Sequence, residues 1–272
     1  HVLFEPVCVR GARLGAGRDG IPAAVNVGAV GMGLIVFPRL GVEPVFLDPG
    51  QTGNGDHGSL PGQRPAGLKQ GKLHVGGLAQ RMYKVALARV ATVFFQNSDD
   101  EMHFVERGIV SSRTRTCVVN GSGVNLAEFS VAPLPERMTF LMIARLLGAK
   151  GIREFVGAAR QVKNQYPDTT FKVVGWIDDN PDSIKEQELE EWKREGIIEF
   201  LGKQTDVRPA IVASTVYVLP SYREGTPRTV LEAMSMGRPV ITTDAPGCRE
   251  AVIDGDNGFQ VSVQSVDELV TA

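Results

Sequence analysis

Two carboxylates and two cations in the second half of the chain have types and spacing suited to chemistry. Glu224 and Glu232 lie eight positions apart in Pro220-Ser221-Tyr222-Arg223-Glu224-Gly225-Thr226-Pro227-Arg228-Thr229-Val230-Leu231-Glu232-Ala233-Met234. Glu232 stands among Val230, Leu231, Ala233, Met234 and Met236, where a buried carboxylate is costly without a partner. The pair reads in two ways. It is either two bonded structural acids, or two groups gripping the hydroxyls of one ligand whose phosphates lie on a helix start between them. Upstream, Arg145 and Lys150 follow an apolar run in Ile143-Ala144-Arg145-Leu146-Leu147-Gly148-Ala149-Lys150-Gly151. Cations opposite an acidic loop suit a diphosphate, the guanidinium by a bidentate grip and the ammonium as a point charge. A pair of solvated surface cations is the competing reading.

The elements that must position these groups follow from the apolar pattern. Val216-Tyr217-Val218-Leu219 is a short strand closed by Pro220-Ser221. Thr226 suits an N-cap and Pro227 the first helical position, so a helix is expected to start there with N–H groups open to a phosphate. From Met138 onward, strands are expected at 138–144, 171–175, 197–201 and 215–219, with 239–242 closing the core. Helices are expected at 152–165, 183–194 and 207–213, besides the one opening at Pro227. This alternation predicts a parallel, doubly wound sheet. Ligands of such sheets bind beyond the carboxyl ends of the strands, so the Arg145/Lys150 loop and the Glu224–Arg228 loop should converge.

The first 80 residues are less regular. Ile21 to Val27 reads as a strand and Gly28-Ala29-Val30-Gly31-Met32-Gly33 as a glycine loop after it, a weak signal by itself. Asp48 to Gly71, which holds His57, reads as a long loop or disordered insertion. A helix follows through Leu78, Met82, Val85, Ala86 and Leu87, then a strand at Thr92–Phe95. Ser98 with Glu101 forms a capping box for a helix that Gly108 ends. Asn120-Gly121-Ser122-Gly123-Val124-Asn125 and Ala132-Pro133-Leu134-Pro135 mark a junction, dividing the chain into 1–130 and 131–272.

Bulk properties exclude several classes. With 272 residues, 43% of them hydrophobic and a net charge of −2, the chain suffices for two modest domains and has no general basic surface for nucleic acid. Cys8, Cys117 and Cys248 are odd in number and widely spaced, which suggests neither a disulfide framework nor a zinc site and fits a reducing cytoplasm. The most apolar stretch, Val25 to Phe37, is too short to span a bilayer. No signal-peptide pattern precedes it, and the chain opens on His1 as if within a strand. Asp254-Gly255-Asp256 and Asp178-Asp179-Asn180-Pro181 read as polar turns rather than metal ligands. His1, His57, His74 and His103 are dispersed, and none is nominated as a general base.

Taken together, Arg145-x4-Lys150-Gly151, Glu224-x7-Glu232, Gly237-Arg238-Pro239-Val240 and Asn257-Gly258-Phe259 resemble the family-four retaining glycosyltransferases of the GT-B fold, above all bacterial polysaccharide and lipid-linked-oligosaccharide types. The resemblance runs from about residue 78 to the end. It implies an α/β fold of two Rossmann-like doubly wound parallel-sheet domains. The first is expected to be incomplete, since its opening strands are missing, Val27 to Phe37 only loosely resembles an acceptor-side glycine loop, and no returning helix follows Ala272. It further implies transfer of a hexose or N-acetylhexosamine from a UDP-sugar to a glycan or lipid-linked acceptor at the cytoplasmic face of a membrane, without a metal or cofactor. On this resemblance Arg145 and Lys150 hold the diphosphate, Glu224 the donor sugar and Glu232 the ribose. The backbone of Gly225, Thr226, Pro227, Arg228, Thr229 and Val230 meets the phosphates. The base lies near Gly175, Trp176, Gly202 and Lys203, although Trp176 serves equally as a core or lid aromatic. A nucleotide-sugar epimerase and a binding remnant without transfer activity are the alternatives.

Overall fold

The computed structural model describes Val25–Ala29, Met32–Phe37 and residues 75–272, and among these residues ten strands form two sheets. In the first sheet, β1 (Val25–Ala29) and β2 (Met32–Phe37) form an antiparallel hairpin that registers Gly28 opposite Gly33. Gly28 and Gly33, expected in a loop, therefore lie within paired strands, a correction to the 28–33 reading, while Gly31 lies outside the described residues. The first four residues of the expected 21–27 strand lie outside the described residues, as does the 48–71 segment with His57. Helix α1 (Val75–Leu87) leads to β3 (Thr92–Phe95), antiparallel to β2.

Helix α2 (Ser98–Glu106) follows, capped by Asn97 rather than Ser98. The Asn97 side chain accepts the Asp100 N–H at 2.8 Å, so the cap falls one residue earlier than the sequence pattern indicates. Strand β4 (Arg115–Val118) completes this sheet in parallel with β3. Phe95 and Phe104, both buried, meet edge to face at 5.4 Å and seat α2 on β3.

The second sheet starts with β5 (Thr139–Ile143) and a 3-10 turn at Gly148–Lys150, then α3 (Ile152–Gln165). It continues through β6 (Thr170–Val174), α4 (Glu186–Arg194), β7 (Glu199–Gly202) and α5 (Arg208–Val212). Next come β8 (Val216–Leu219), α6 (Arg228–Ser235), β9 (Val240–Thr243), β10 (Gly258–Val261) and α7 (Val266–Thr271). The order is β10-β9-β8-β5-β6-β7, with every pairing parallel. Leu141, Val173, Tyr217, Val218 and Val240 are buried, as strands covered on both faces require. Ile152, Phe155, Val156 and Ala159 form the inner stripe of α3.

Most boundaries of this sheet shift by one or two residues from expectation, and two differences are larger. Helix α4 starts at Glu186 instead of Ser183, because the Ser183 hydroxyl is engaged by Asp178 at 2.9 Å. Strand β9 does not close the sheet: β10 lies outside it, with its Gly258-Phe259 entered directly from the Asp256-Asn257 turn.

The segment joining the sheets is anchored beneath α6. Ser235 Oγ donates to Phe129 O at 2.9 Å, and the Ala132 N–H to Met236 O at 3.3 Å. Arg238, only 2% exposed, donates to Pro133 O at 2.9 Å and to Ile211 O at 3.0 Å. Ile211 lies in the last turn of α5, where a guanidinium is favoured by the helix dipole, although burial pushes its pKa down. Among the described residues no helix is long and apolar enough to cross a membrane.

Candidate functional site

The carboxyl ends of β5 and β8 carry two loops, and the local backbone forces them together. Gly151 has a φ of 74°, and a Cβ there would fall 2.0 Å from Pro220 O. Only glycine fits both the left-handed conformation and the close approach. The Tyr222 N–H donates to Ala149 O at 2.9 Å, and Ser221 Oγ lies 3.2 Å from the same carbonyl. On the other side, the Glu224 N–H donates to Pro246 O at 2.9 Å.

This clamp brings two expected site residues into contact. Lys150 Nζ lies 2.5 Å from Glu224 Oε1, with side chains 15% and 12% exposed. The sequence left open whether Lys150 and Arg145 were free surface cations, and the structure shows both paired. Arg145 Nη1 donates to Asp178 Oδ2 at 3.0 Å. Burial alone would raise the Asp178 pKa, but the Asn180 N–H, the Ser183 hydroxyl and Arg145 together hold it below the ordinary aspartate value. The Asp178–Pro181 turn is thus tied by its own backbone and by Arg145.

Helix α6 presents its N-terminus to the same loop, with Pro227 as N-cap and no side-chain capping bond. The expected Thr226 cap is corrected here. Thr226 Oγ1 donates to Gln96 O at 3.2 Å and the Thr226 N–H to Gln96 Oε1 at 3.1 Å, so a partner from the first sheet takes the groups that would have capped or bound an anion. The N–H groups of Arg228 and Thr229, at the head of α6, have no intrahelical acceptor by geometry and remain the helix-dipole donors. Glu232, one turn on, accepts Arg228 Nε at 2.9 Å; its side chain is 9% exposed and that of Arg228 63%. Burial pushes the Glu232 carboxyl up, and Arg228 opposes this without cancelling it. The hydroxyl of buried Tyr217 lies 2.7 Å from Thr229 Oγ1 and 3.2 Å from Ile143 O, joining α6, β8 and β5. Burial keeps that phenol neutral.

A second group of expected residues gathers at the ends of β6 and β7. The Gly175 N–H donates to Gly202 O at 3.0 Å, and Lys203 Nζ lies 4.7 Å from the Trp176 ring centroid. Trp176 is 39% exposed, so it is not a core aromatic. The Leu146 N–H bonded to Trp176 O at 3.0 Å connects this group to the Arg145 loop.

The residues that sequence reasoning missed come from the first sheet. Asn97 is fully buried; its Nδ2 reaches Gly225 O at 3.2 Å, Glu224 O at 3.4 Å and Asp100 Oδ2 at 3.0 Å. Asp100, also buried, pairs with Arg223, and Asp99 pairs with Arg249 at 3.2 Å. Their signal was the polar run Gln96-Asn97-Ser98-Asp99-Asp100 directly after a strand, the strand-end position at which site residues were sought in the second sheet alone. Among the described residues no cluster of three or more His, Cys, Asp or Glu could hold a metal ion. Asp254 accepts the Gln260 N–H at 2.8 Å and holds its turn closed.

Comparison with known proteins places this geometry. Residues 137–272, half of the chain, match the family model described as glycosyl transferases group 1. A Campylobacter jejuni N,N'-diacetylbacillosaminyl-diphospho-undecaprenol alpha-1,3-N-acetylgalactosaminyltransferase is 27% identical over 202 residues, 69% of this chain and 51% of that protein. An Escherichia coli UDP-Gal:alpha-D-GlcNAc-diphosphoundecaprenol alpha-1,3-galactosyltransferase is 29% identical over 165 residues, 56% of this chain and 42% of that protein. The chain therefore spans about half the length of the curated relatives it matches. Among solved structures, Anabaena HepE in complex with UDP and glucose superposes with a TM-score of 0.60 at 22% identity, covering 72% of this chain and 57% of that one. A sucrose-phosphate synthase from Thermosynechococcus elongatus superposes at 0.61 and 23% identity, covering 75% and 53%. These likenesses show an α/β fold of the GT-B type. With paired strand-end loops, a helix N-terminus between two glutamates and a family match over the whole second sheet, the chain belongs to the glycosyl transferases group 1 family.

Proposed function

We propose that this chain is the donor-binding part of a retaining glycosyltransferase that moves a hexose or N-acetylhexosamine from a UDP-sugar to a glycan or lipid-linked acceptor. The observation that carries this reading is the Lys150–Glu224 contact at the junction of two strand-end loops beside the start of α6. An ammonium has three donors, so Lys150 can keep Glu224 while meeting a phosphate oxygen. Arg145, with one nitrogen committed to Asp178, keeps the rest of its fork for the same diphosphate. Glu224 then accepts a donor-sugar hydroxyl and Glu232 the ribose, whose hydroxyls compensate its burial. Trp176 and Lys203 offer the base a stacking face and a donor. Two curated relatives carry diphospho-undecaprenol in their names, and this supports a lipid-linked acceptor at a membrane surface. The reading divides the chain near residue 130, with residues 131–272 as the donor domain and 1–130 facing the acceptor.

In the reaction the anomeric C–O bond to the diphosphate breaks, the acceptor oxygen takes its place on the same face, and the acceptor's hydroxyl proton passes to the departing diphosphate. Negative charge grows on the departing UDP. Fixed cations and the α6 N–H groups stabilise that growth more than the ground state, which is what accelerates a step. The same cations can supply the charge stabilisation that a bound metal gives in other transferases.

The test is product analysis of UDP-sugar turnover by NMR, with and without acceptor and in the presence of EDTA. The reading expects UDP release, a product of unchanged anomeric configuration, and turnover that persists in EDTA. Conversion of the donor sugar to its epimer without acceptor would instead establish an epimerase, and absence of any turnover a binding remnant.

A further inference from the structure

Asn97 belongs to the first sheet, yet its carboxamide ends on the donor loop of the second. It sits at the carboxyl end of β3, is fully buried, and spans 127 and 128 residues of sequence to reach Glu224 O and Gly225 O. Both acceptors are backbone carbonyls, one of the proposed sugar contact itself and one of the residue after it. Gln96 beside it takes the N–H and the hydroxyl of Thr226. Four consecutive features of this loop thus have partners outside their own sheet: the Arg223 guanidinium on Asp100, the Glu224 and Gly225 carbonyls on Asn97, and Thr226 on Gln96.

Beyond the Ser221 and Tyr222 bonds at its start, the loop has little else to fix it. Gly225 has no side chain, and Thr226 is not used as a cap. The second-sheet holds are the Glu224 N–H on Pro246 O and the Lys150 ion pair. Behind the loop, Gly247 has a φ of 83°, and a Cβ there would come within 2.1 Å of Glu224 O and 2.3 Å of Gly225 O. The two carbonyls are therefore pressed between a bare glycine and the Asn97 carboxamide. A peptide plane held on both sides fixes the direction in which the Glu224 side chain leaves the backbone. Small displacements of a substrate-contacting group are costly, since productive geometry must be held within a fraction of an ångström.

We propose that Asn97 is a positioning residue of the donor site, a carboxamide clip from the first sheet that sets the Glu224–Gly225 peptide and with it the sugar-contacting carboxylate. The inference rests on the UDP-sugar reading for its consequence but not for its geometry. It also makes the first sheet part of the donor site: the same carboxamide caps α2 through Oδ1 and clips the donor loop through Nδ2.

Asn97→Ser separates the two tasks, because serine caps a helix as well as asparagine but cannot reach the loop carbonyls. Two measurements on the full chain decide the matter. Amide hydrogen exchange over residues 223–227 is expected to speed up by tenfold or more in Asn97→Ser while α2 keeps its protection. Calorimetric titration is expected to show UDP affinity within about twofold of the parent, whereas the extra affinity that UDP-sugar has over UDP falls by about tenfold. A structural defect would lower both affinities together, and this would overturn the proposal, as would unaltered exchange over 223–227. If the parent chain bound no UDP, the donor reading would fall, and the exchange result would still confirm or refute the clip.

Discussion

Lys150→Ala is expected to slow UDP-sugar turnover by about 10²- to 10³-fold, the usual cost of removing one group that stabilises transition-state charge. Two effects combine in this variant and can be separated. Lys150 and Glu224 are both largely buried and 2.5 Å apart, so truncating one leaves the other as an uncompensated charge. Breaking such a pair costs on the order of 3–5 kcal/mol, which would appear as a lowered Tm. Replacing Glu224 by glutamine in the Lys150→Ala background removes the stranded charge, and most of the lost stability should return. Turnover should not return, because the cation beside the leaving diphosphate is still missing and Glu224 no longer offers the donor sugar a carboxylate. Recovery of turnover in the double variant would assign Lys150 a purely structural role.

Gly151→Ala is expected to be among the most damaging single methyls in the second sheet. Its Cβ would have to enter a left-handed backbone, at a cost of about 1–2 kcal/mol, and would fall 2.0 Å from Pro220 O. Neither atom is the end of a flexible side chain, so relief requires moving the β8 loop away from the 3-10 turn. A combined destabilisation of roughly 3–5 kcal/mol follows, near the upper limit for point substitutions. For a chain of this size that is a drop in Tm of about 10 °C, measured by calorimetry. The displacement also pulls Ser221 and Tyr222 from Ala149 O and lengthens the Lys150–Glu224 contact, so turnover should fall beyond the loss explained by unfolding.

The second sheet was legible because its signals are local. Helix α3 occupies 152–165 as its apolar spacing indicates, and short β-branched runs bounded by turns located β5, β6 and β8 to within a residue or two. Strand β4 was passed over because Arg115-Thr116-Cys117-Val118 lacks a strong apolar run; it is a strand because β3 offers it an open edge. β10 was missed because Asn257-Gly258 reads as a turn, and the pairing with β9 overrides that local preference. The caps show the same contrast. Ser98 and Thr226 are each good caps by type, but Asn97 holds the first position, and Gln96 draws Thr226 across 130 residues of sequence. Partners so distant leave no trace in spacing. Glu224, Glu232, Arg145 and Lys150 could be nominated as site residues from type and position, whereas the contacts of the first sheet with their loop could be seen only once the chain was folded.

On the proposed reading the two strand-end loops bind a nucleoside diphosphate through Arg145, Lys150 and the ribose contact of Glu232. Isothermal titration of UDP into the chain and into its Arg145→Ala and Glu232→Ala variants tests it most directly. One site per chain in the parent, weakened by tenfold or more in each variant, a loss of about 1.4 kcal/mol, is the result predicted. Unchanged UDP affinity in both variants would contradict the account.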